Sequence, residues 1–174
     1  PLIVKPNAEG SSKGISECSV ARSKEELYAI LKRGIEAYHI PFLVEEYIQG
    51  RELTVGIVGN GEETIVIPPM EIIYKNREEA FHIYSYHVKK NYEKYVEYQC
   101  PADLDKKTMA EVVRISEEIY KVLECRDFSR IDYRVTPEGD IYFIEIILCR
   151  GWHRDTAIFP WQRSLMAYPM MSLL

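Results

Sequence analysis

The amino-terminal stretch Pro1-Leu-Ile-Val-Lys-Pro-Asn-Ala-Glu-Gly-Ser-Ser-Lys-Gly14 constrains the chain most, because an apolar strand carries Lys5 into a loop of small, hydroxylated and glycine residues. Gly10 and Gly14 can take positive φ and let backbone N–H groups come close to a ligand. Ser11 and Ser12 can donate to phosphate oxygens, and Lys5 and Lys13 supply positive charge. The loop lacks the Gly-Lys-Ser/Thr ending of a Walker A motif, which excludes the common P-loop. Two readings of this loop stand side by side: a phosphate cradle, or an ordinary strand followed by a solvated glycine turn.

Composition narrows the class. With 174 residues, 47% of them hydrophobic, the chain can bury the core of one domain or of one lobe of a larger enzyme. A net charge of −5 provides no basic field, so nucleic acid is not an expected partner. No apolar run approaches the ~20 residues of a membrane helix, so no membrane partner is expected either. The chain opens inside a strand without an initiator Met, which leads us to expect a fragment. Cys18, Cys100, Cys125 and Cys149 form no CxxC pair, which disfavours a zinc site and a disulfide framework and fits a cytoplasmic location. His39, His82, His87 and His153 share no metal-ligand spacing.

Ser23-Lys-Glu-Glu26 reads as a capping box opening a helix to about Ala37, with Leu27, Ile30, Leu31 and Ile35 as its buried stripe. Phe42–Ile48 reads as a strand, Gln49-Gly50 as a turn and Glu52–Val58 as the next strand, with Asn60-Gly61 turning into Thr64–Ile67. The segment Ile73–Tyr98 is polar, aromatic and poorly periodic, and we expect a mobile loop flanked by short strands. A helix follows from about Asp105 to Leu123, with Met109, Val112, Ile115, Ile119 and Val122 at helical spacing. Arg130–Val135 and Ile141–Ile146 close the pattern as strands.

The link between those last strands, Pro137-Glu-Gly-Asp140, leads to the chemistry. If Thr136 pairs with Ile141, Asp132 faces Glu145 across the hairpin. Opposed like charges destabilise unless neutralised. A divalent cation would neutralise them, and magnesium characteristically joins one or two carboxylates to substrate phosphates. Arg130, two residues from Asp132 and on its face, could hold a γ-phosphate or an anionic intermediate. The alternative is a plain salt bridge in which Arg130 compensates the acids without a metal.

Taken together, residues 1 to 146 resemble the ATP-grasp superfamily and, within it, the D-alanine–D-alanine ligase group. Lys5 with Glu9-Gly-Ser-Ser-Lys-Gly14 resembles that family's phosphate-binding lysine and flexible glycine loop. Phe42–Ile48 resembles its interlobe strand, which implies adenine binding by Glu45 and the backbone around Tyr47 and Ile48. Gly50-Arg-Glu-Leu-Thr54 places Glu52 at the ribose-binding position, and Tyr84–Lys89 makes Lys89 a phosphate contact. Cys100-Pro-Ala102 matches a short motif beyond the closing loop. Ser129–Asp132 and Phe143-Ile-Glu145 supply the catalytic arginine, Arg130, and the metal ligands Asp132 and Glu145. Ser12, in the glycine loop, is the second catalytic candidate.

The resemblance implies an α+β fold, two lobes of antiparallel sheet packed with helices and the nucleotide between them. It implies ATP with Mg²⁺, or Mn²⁺ in its place, small amino-acid substrates, and a homodimer as one admissible assembly. The implied reaction converts a carboxylate into an acyl phosphate that an amine attacks, serving peptidoglycan precursors. Two departures stand out. Lys90 occupies the place of the tyrosine that commonly follows the loop lysine, and we expect the amino-terminal substrate domain of complete ligases to be absent from this chain.

The family also carries Asn two residues after the second glutamate, then a Pro- and Gly-rich loop. Here Ile147 stands in that place, and in 147–174 Lys and Glu vanish while both tryptophans appear. Back-translated with permitted codons and shifted by one restored A, the residues from Ile147 read Asn-Pro-Leu-Pro-Gly-Leu-Ala-Pro-Gly-Tyr, a ligase-like loop. The expectation is therefore an ATP-grasp domain over 1–146 and a frameshifted tail over 147–174; the alternative is a divergent tail packed as core.

Overall fold

The computed structural model describes residues 1–7, 19–76 and 81–148, so most of the glycine loop and the tail beyond Leu148 lie outside the described residues. The chain divides into two compact units, 1–49 with 74–97, and 50–73 with 98–174.

In the first unit, β1 (Leu2–Pro6) is flanked by β2 (Val20–Ala21) and β3 (Phe42–Glu46), both antiparallel to it. Helix α1 (Lys24–Tyr38) packs on these strands. Its capping works as the box predicts at Ser23, whose Oγ accepts from Glu26 N at 3.2 Å. Glu26, however, reaches back to the N–H of Arg22 at 2.7 Å rather than to that of the cap residue. The expected buried stripe is a correction. No α1 residue is buried, and Ile35 is 50% exposed. A three-stranded sheet whose β2 has two residues offers too little surface to cover four helical side chains. Gly34 instead lets α1 approach β3 closely, with the Phe42 ring 2.6 Å from where a Cβ would stand.

In the second unit, β4 (Arg51–Val58) is central. It pairs with β5 (Ile65–Val66) and β6 (Met70–Tyr74) on one side and β8 (Phe128–Val135) on the other, with β7 (Val96–Gln99) beyond β6 and β9 (Ile141–Leu148) beyond β8. Helix α4 (Lys106–Val122) starts at Asp105, whose Oδ1 accepts from the N–H groups of Lys107 and Thr108 at 2.9 and 3.0 Å. Val112 and Tyr120 of α4 cover Leu53, Val55 and Ile57 of β4 and Ile131, Tyr133 and Val135 of β8, which alternate onto one face. Val122, expected on that stripe, is 79% exposed because the helix ends as it passes the sheet. The Tyr133 phenol is pushed up to about 12 by burial, against the opposing effect of its 2.8 Å hydrogen bond with Ser116.

Between Ile73 and Tyr98 the described residues hold two short helices, α2 (Tyr86–Lys90) and α3 (Tyr92–Tyr95), and not only loop. Ser85 caps α2 by accepting from Val88 N at 3.3 Å, a local signal that the poor apolar periodicity hides.

Ser129 Oγ is buried on the core face of β8 with no hydrogen-bond partner among the described residues. A buried hydroxyl without a partner costs ~1–3 kcal/mol. Ser129→Ala is therefore expected to keep or raise stability, by up to about 2 kcal/mol in urea unfolding. A loss of more than about 1 kcal/mol would show that the hydroxyl has a partner in solution.

Candidate functional site

The β8–β9 hairpin brings Asp132 opposite Glu145, but not by the expected turn. Val135, not Thr136, pairs with Ile141, and the loop closes through Thr136 N donating to Asp140 O and Gly139 N donating to Thr136 O, both at 3.0 Å. Continued unbroken, that register would set Ile144 against Asp132 and turn Glu145 onto the core face. A bulge prevents it. Tyr133 pairs with Phe143 and Asp132 with Glu145, leaving Ile144 as the extra residue.

The face of the sheet away from α4 is therefore polar, in rows along β4 and β8. Glu52 pairs with Arg134, Thr54 with Asp132, and Gly56 with Arg130. Successive rows lie two residues, or ~7 Å, apart. Asp132 is well held: Oδ1 accepts from Thr54 Oγ1 at 2.6 Å and Arg130 Nε at 3.0 Å, and Oδ2 from Arg130 Nη2 at 2.7 Å. Arg130 and Asp132 are 18% and 17% exposed in their side chains. The salt bridge foreseen as an alternative is thus present for Asp132, while Glu145 stands exposed across the ladder. Ile147 faces Arg130 and brings no oxygen.

The residues fit a magnesium ion in one respect and fall short in another. Two carboxylates opposed on adjacent strands are the hard oxygen donors magnesium uses, and bound phosphates complete such sites. Among the described residues, however, no group of three or more His, Cys, Asp or Glu side chains could hold a metal by itself.

In the first unit, Lys5 Nζ forms an ion pair with a carboxylate oxygen of Glu45 on the neighbouring strand. Tyr47 is buried, and its hydroxyl donates to His82 O at 3.0 Å and accepts from His82 N at 2.9 Å. Its own N–H donates to Pro1 O at 3.0 Å. Ile48 is half-buried beside it. Lys89 Nζ lies 5.1 Å from the centre of the Tyr84 ring. Glu9, Gly10, Ser11 and Ser12 lie outside the described residues.

Sequence reasoning passed over Arg134 and Thr54. Arg134 continues the alternation of Arg130 and Asp132, which was the available signal. Thr54 bonds Asp132 from 78 positions away, which no local pattern reports. Nor did the pattern single out Arg51, whose two bonds to Glu71, at 2.8 and 2.5 Å, raise it further above its ordinary value.

A family model described as D-ala D-ala ligase C-terminus matches residues 1–166. The chain belongs to that family. Among the family's members, the D-alanine–D-alanine ligase of Aquifex aeolicus is 40% identical over 150 residues, covering 84% of this chain and 45% of the relative. That of Fervidobacterium nodosum is 36% identical over 146 residues, covering 84% and 43%. That of Glaesserella parasuis aligns with all 174 residues at 33% identity and is covered to 52%. The chain thus spans about half the length of the curated relatives it matches. Among solved structures, the VanG D-Ala:D-Ser ligase of Enterococcus faecalis superposes with a TM-score of 0.65 at 30% identity, over 85% of this chain and 40% of that one. The N5-carboxyaminoimidazole ribonucleotide synthetase purK, at 18% identity and a TM-score of 0.64 over 87% of this chain and 35% of its own, shares the fold. The expected α+β, ATP-grasp architecture is that of these neighbours.

Proposed function

We propose that this chain is the ATP-binding part of an ATP-dependent carboxylate–amine ligase of the D-alanine–D-alanine type, acting in the cytoplasm through an acyl phosphate. What supports it most is the polar face of the second unit, where Glu52, Asp132, Arg130 and the opposed Glu145 follow one another along three strands. The order suits a nucleotide laid along β4 and β8, sugar at Glu52 and phosphates toward Asp132 and Arg130.

In this reading Asp132 and Glu145 hold a magnesium ion, which supplies charge neutralisation on the phosphates when bound. A carboxylate offers about four lone-pair sites, so the three bonds Asp132 accepts leave capacity for a cation. Thr54 and Arg130 fix the orientation of that carboxylate. Arg130, bound through Nε and Nη2 to Asp132, brings the guanidinium charge that a phosphoryl oxygen or the acyl-phosphate anion would meet in this reading. Glu45 recognises the base together with backbone near Tyr47 and Ile48; the Tyr47 N–H is committed to Pro1, so that residue contributes its carbonyl. Lys5, Lys89, Glu9, Gly10, Ser11 and Ser12 are the phosphate-binding residues that this reading assigns to the first unit. Nucleotide binding then has to draw Lys5 from Glu45.

Titration with a non-hydrolysable ATP analogue and magnesium tests the assignment. Lys5→Ala and Lys89→Ala should each weaken binding by about 10-fold or more, as expected for loss of a charge-assisted contact worth ~1.5–3 kcal/mol, and Lys13→Ala by less. Equal losses for all three would sink the ranking, and unchanged affinity in all of them would sink the nucleotide reading. Ligation itself is tested by ADP release with D-alanine and a panel of other amino acids as acceptors. That panel addresses Lys90 and the D-Ala:D-Ser specificity of the VanG neighbour.

Ile147 favours a second reading, a nucleotide-binding module that no longer ligates. We attribute Ile147 to a one-base deletion near its codon. The family match runs through residue 166 of the sequence as written, so it lends the deletion no support and the nucleotide sequence decides. Sequencing the DNA should show an adjacent frame reading Asn-Pro-Leu-Pro-Gly or similar. Stop codons in that frame would sink the deletion; amino-acid-dependent ADP release by the chain as written would sink the second reading.

A further inference from the structure

Arg134 sits on the polar face, directly across the ladder from Glu52, and its side chain and that of Glu52 are 10% and 15% exposed. Its two arms are both engaged. Nη2 donates to Glu52 Oε2 at 2.8 Å, and Nη1 to the carbonyl of Gly50 at 3.2 Å. That carbonyl is fixed by a close approach only glycine permits, since a Cβ at position 50 would lie 2.3 Å from Val135 O. The guanidinium is therefore braced against backbone on one side and aims its other arm at the carboxylate.

We propose that Arg134 is a positioning residue that locks the Glu52 carboxylate for the two sugar hydroxyls of a ribonucleotide, so that discrimination for ribose depends on it. The inference rests on the reading of Glu52 as the ribose-binding group. An ionised carboxylate only accepts, with about four lone-pair sites on its two oxygens, which suits the O–H donors of a vicinal diol. A nearly buried anion next to a nucleotide's phosphates would also be repelled by them. The Arg134 charge, 2.8 Å from Glu52 Oε2, offsets that field. A flexible carboxylate would lose rotamer freedom on binding; one already bonded at Oε2 has lost it in folding.

The test compares a non-hydrolysable ATP analogue with its 2′,3′-dideoxy counterpart, both with magnesium, on the unaltered chain and on Glu52→Gln, Arg134→Gln and Arg134→Lys, each checked for folding by circular dichroism. The unaltered chain should prefer the ribose form by about 10-fold or more, the range for hydrogen bonds to a charged acceptor. Glu52→Gln should bring the two affinities within about 3-fold, and Arg134→Gln should do the same while leaving the dideoxy affinity nearly unchanged. Arg134→Lys, which keeps the charge and loses the fork, should fall between, and it carries the test if the Gln variant does not fold. Preference lost in Glu52→Gln but intact in the folded Arg134 variants overturns the inference alone, leaving Arg134 a merely structural brace. Preference intact in Glu52→Gln overturns the ribose reading and the inference with it.

Discussion

On the proposed reading, ADP release by a ligase that contains this chain is expected to fall by about 10²-fold or more in Asp132→Asn. The substitution is nearly isosteric, and an amide oxygen can still accept from Thr54, so the fold should survive. What is lost is the negative charge shared with Glu145 and the charged partner of Arg130. On the proposed reading both act at the point where charge builds on the transferring phosphoryl group. Glu145→Gln should follow it in direction, since a cation held by opposed carboxylates needs both. The measurement is steady-state ADP release against magnesium concentration, with thermal unfolding as the control. Activity within about 5-fold of the parent at saturating magnesium would remove Asp132 from the metal site, because loss of charge stabilisation at a reacting phosphate is worth more than that.

Leu53→Ala should produce the largest loss of stability, about 2–5 kcal/mol in urea unfolding. Leu53 is fully buried on the central strand, packed within the cluster that joins α4, β4 and β8. The site's polar face is the reverse side of the same strands, so a cavity there also loosens Glu52 and Thr54, its immediate neighbours. Nucleotide affinity should drop with stability. A loss below about 1 kcal/mol would mean that the two faces of β4 are less coupled than their shared backbone implies.

Much of the site was legible because its signals are local. Strand alternation put Arg130 and Asp132 on one face, the turn near Gly139 announced a hairpin, and residues Ser23 and Glu26 marked the start of α1. The pairing of Asp132 with Glu145 was reached through an incorrect turn register that the bulge at Ile144 happens to compensate. Bulges answer to twist and packing across the whole sheet, which a hairpin sequence does not encode by itself. The stripe of α1 was misread for a related reason. Periodicity shows which face of a helix is apolar, but not how much sheet there is to cover it.

The amino-acid sequence by itself determined the start of α1 at Ser23, helix α4 and the strands β3, β4, β8 and β9, since each depends on residues a few positions apart. Only the tertiary structure decided that Thr54 holds Asp132 and that Arg134 holds Glu52, across 78 and 82 positions of chain. Those bonds exist because β4 and β8 are paired in the middle of one sheet, where cross-strand neighbours are set by register. Register is a property of the assembled ladder, fixed by the burial of its apolar face against α4 and by the hydrogen bonds of every strand in it at once.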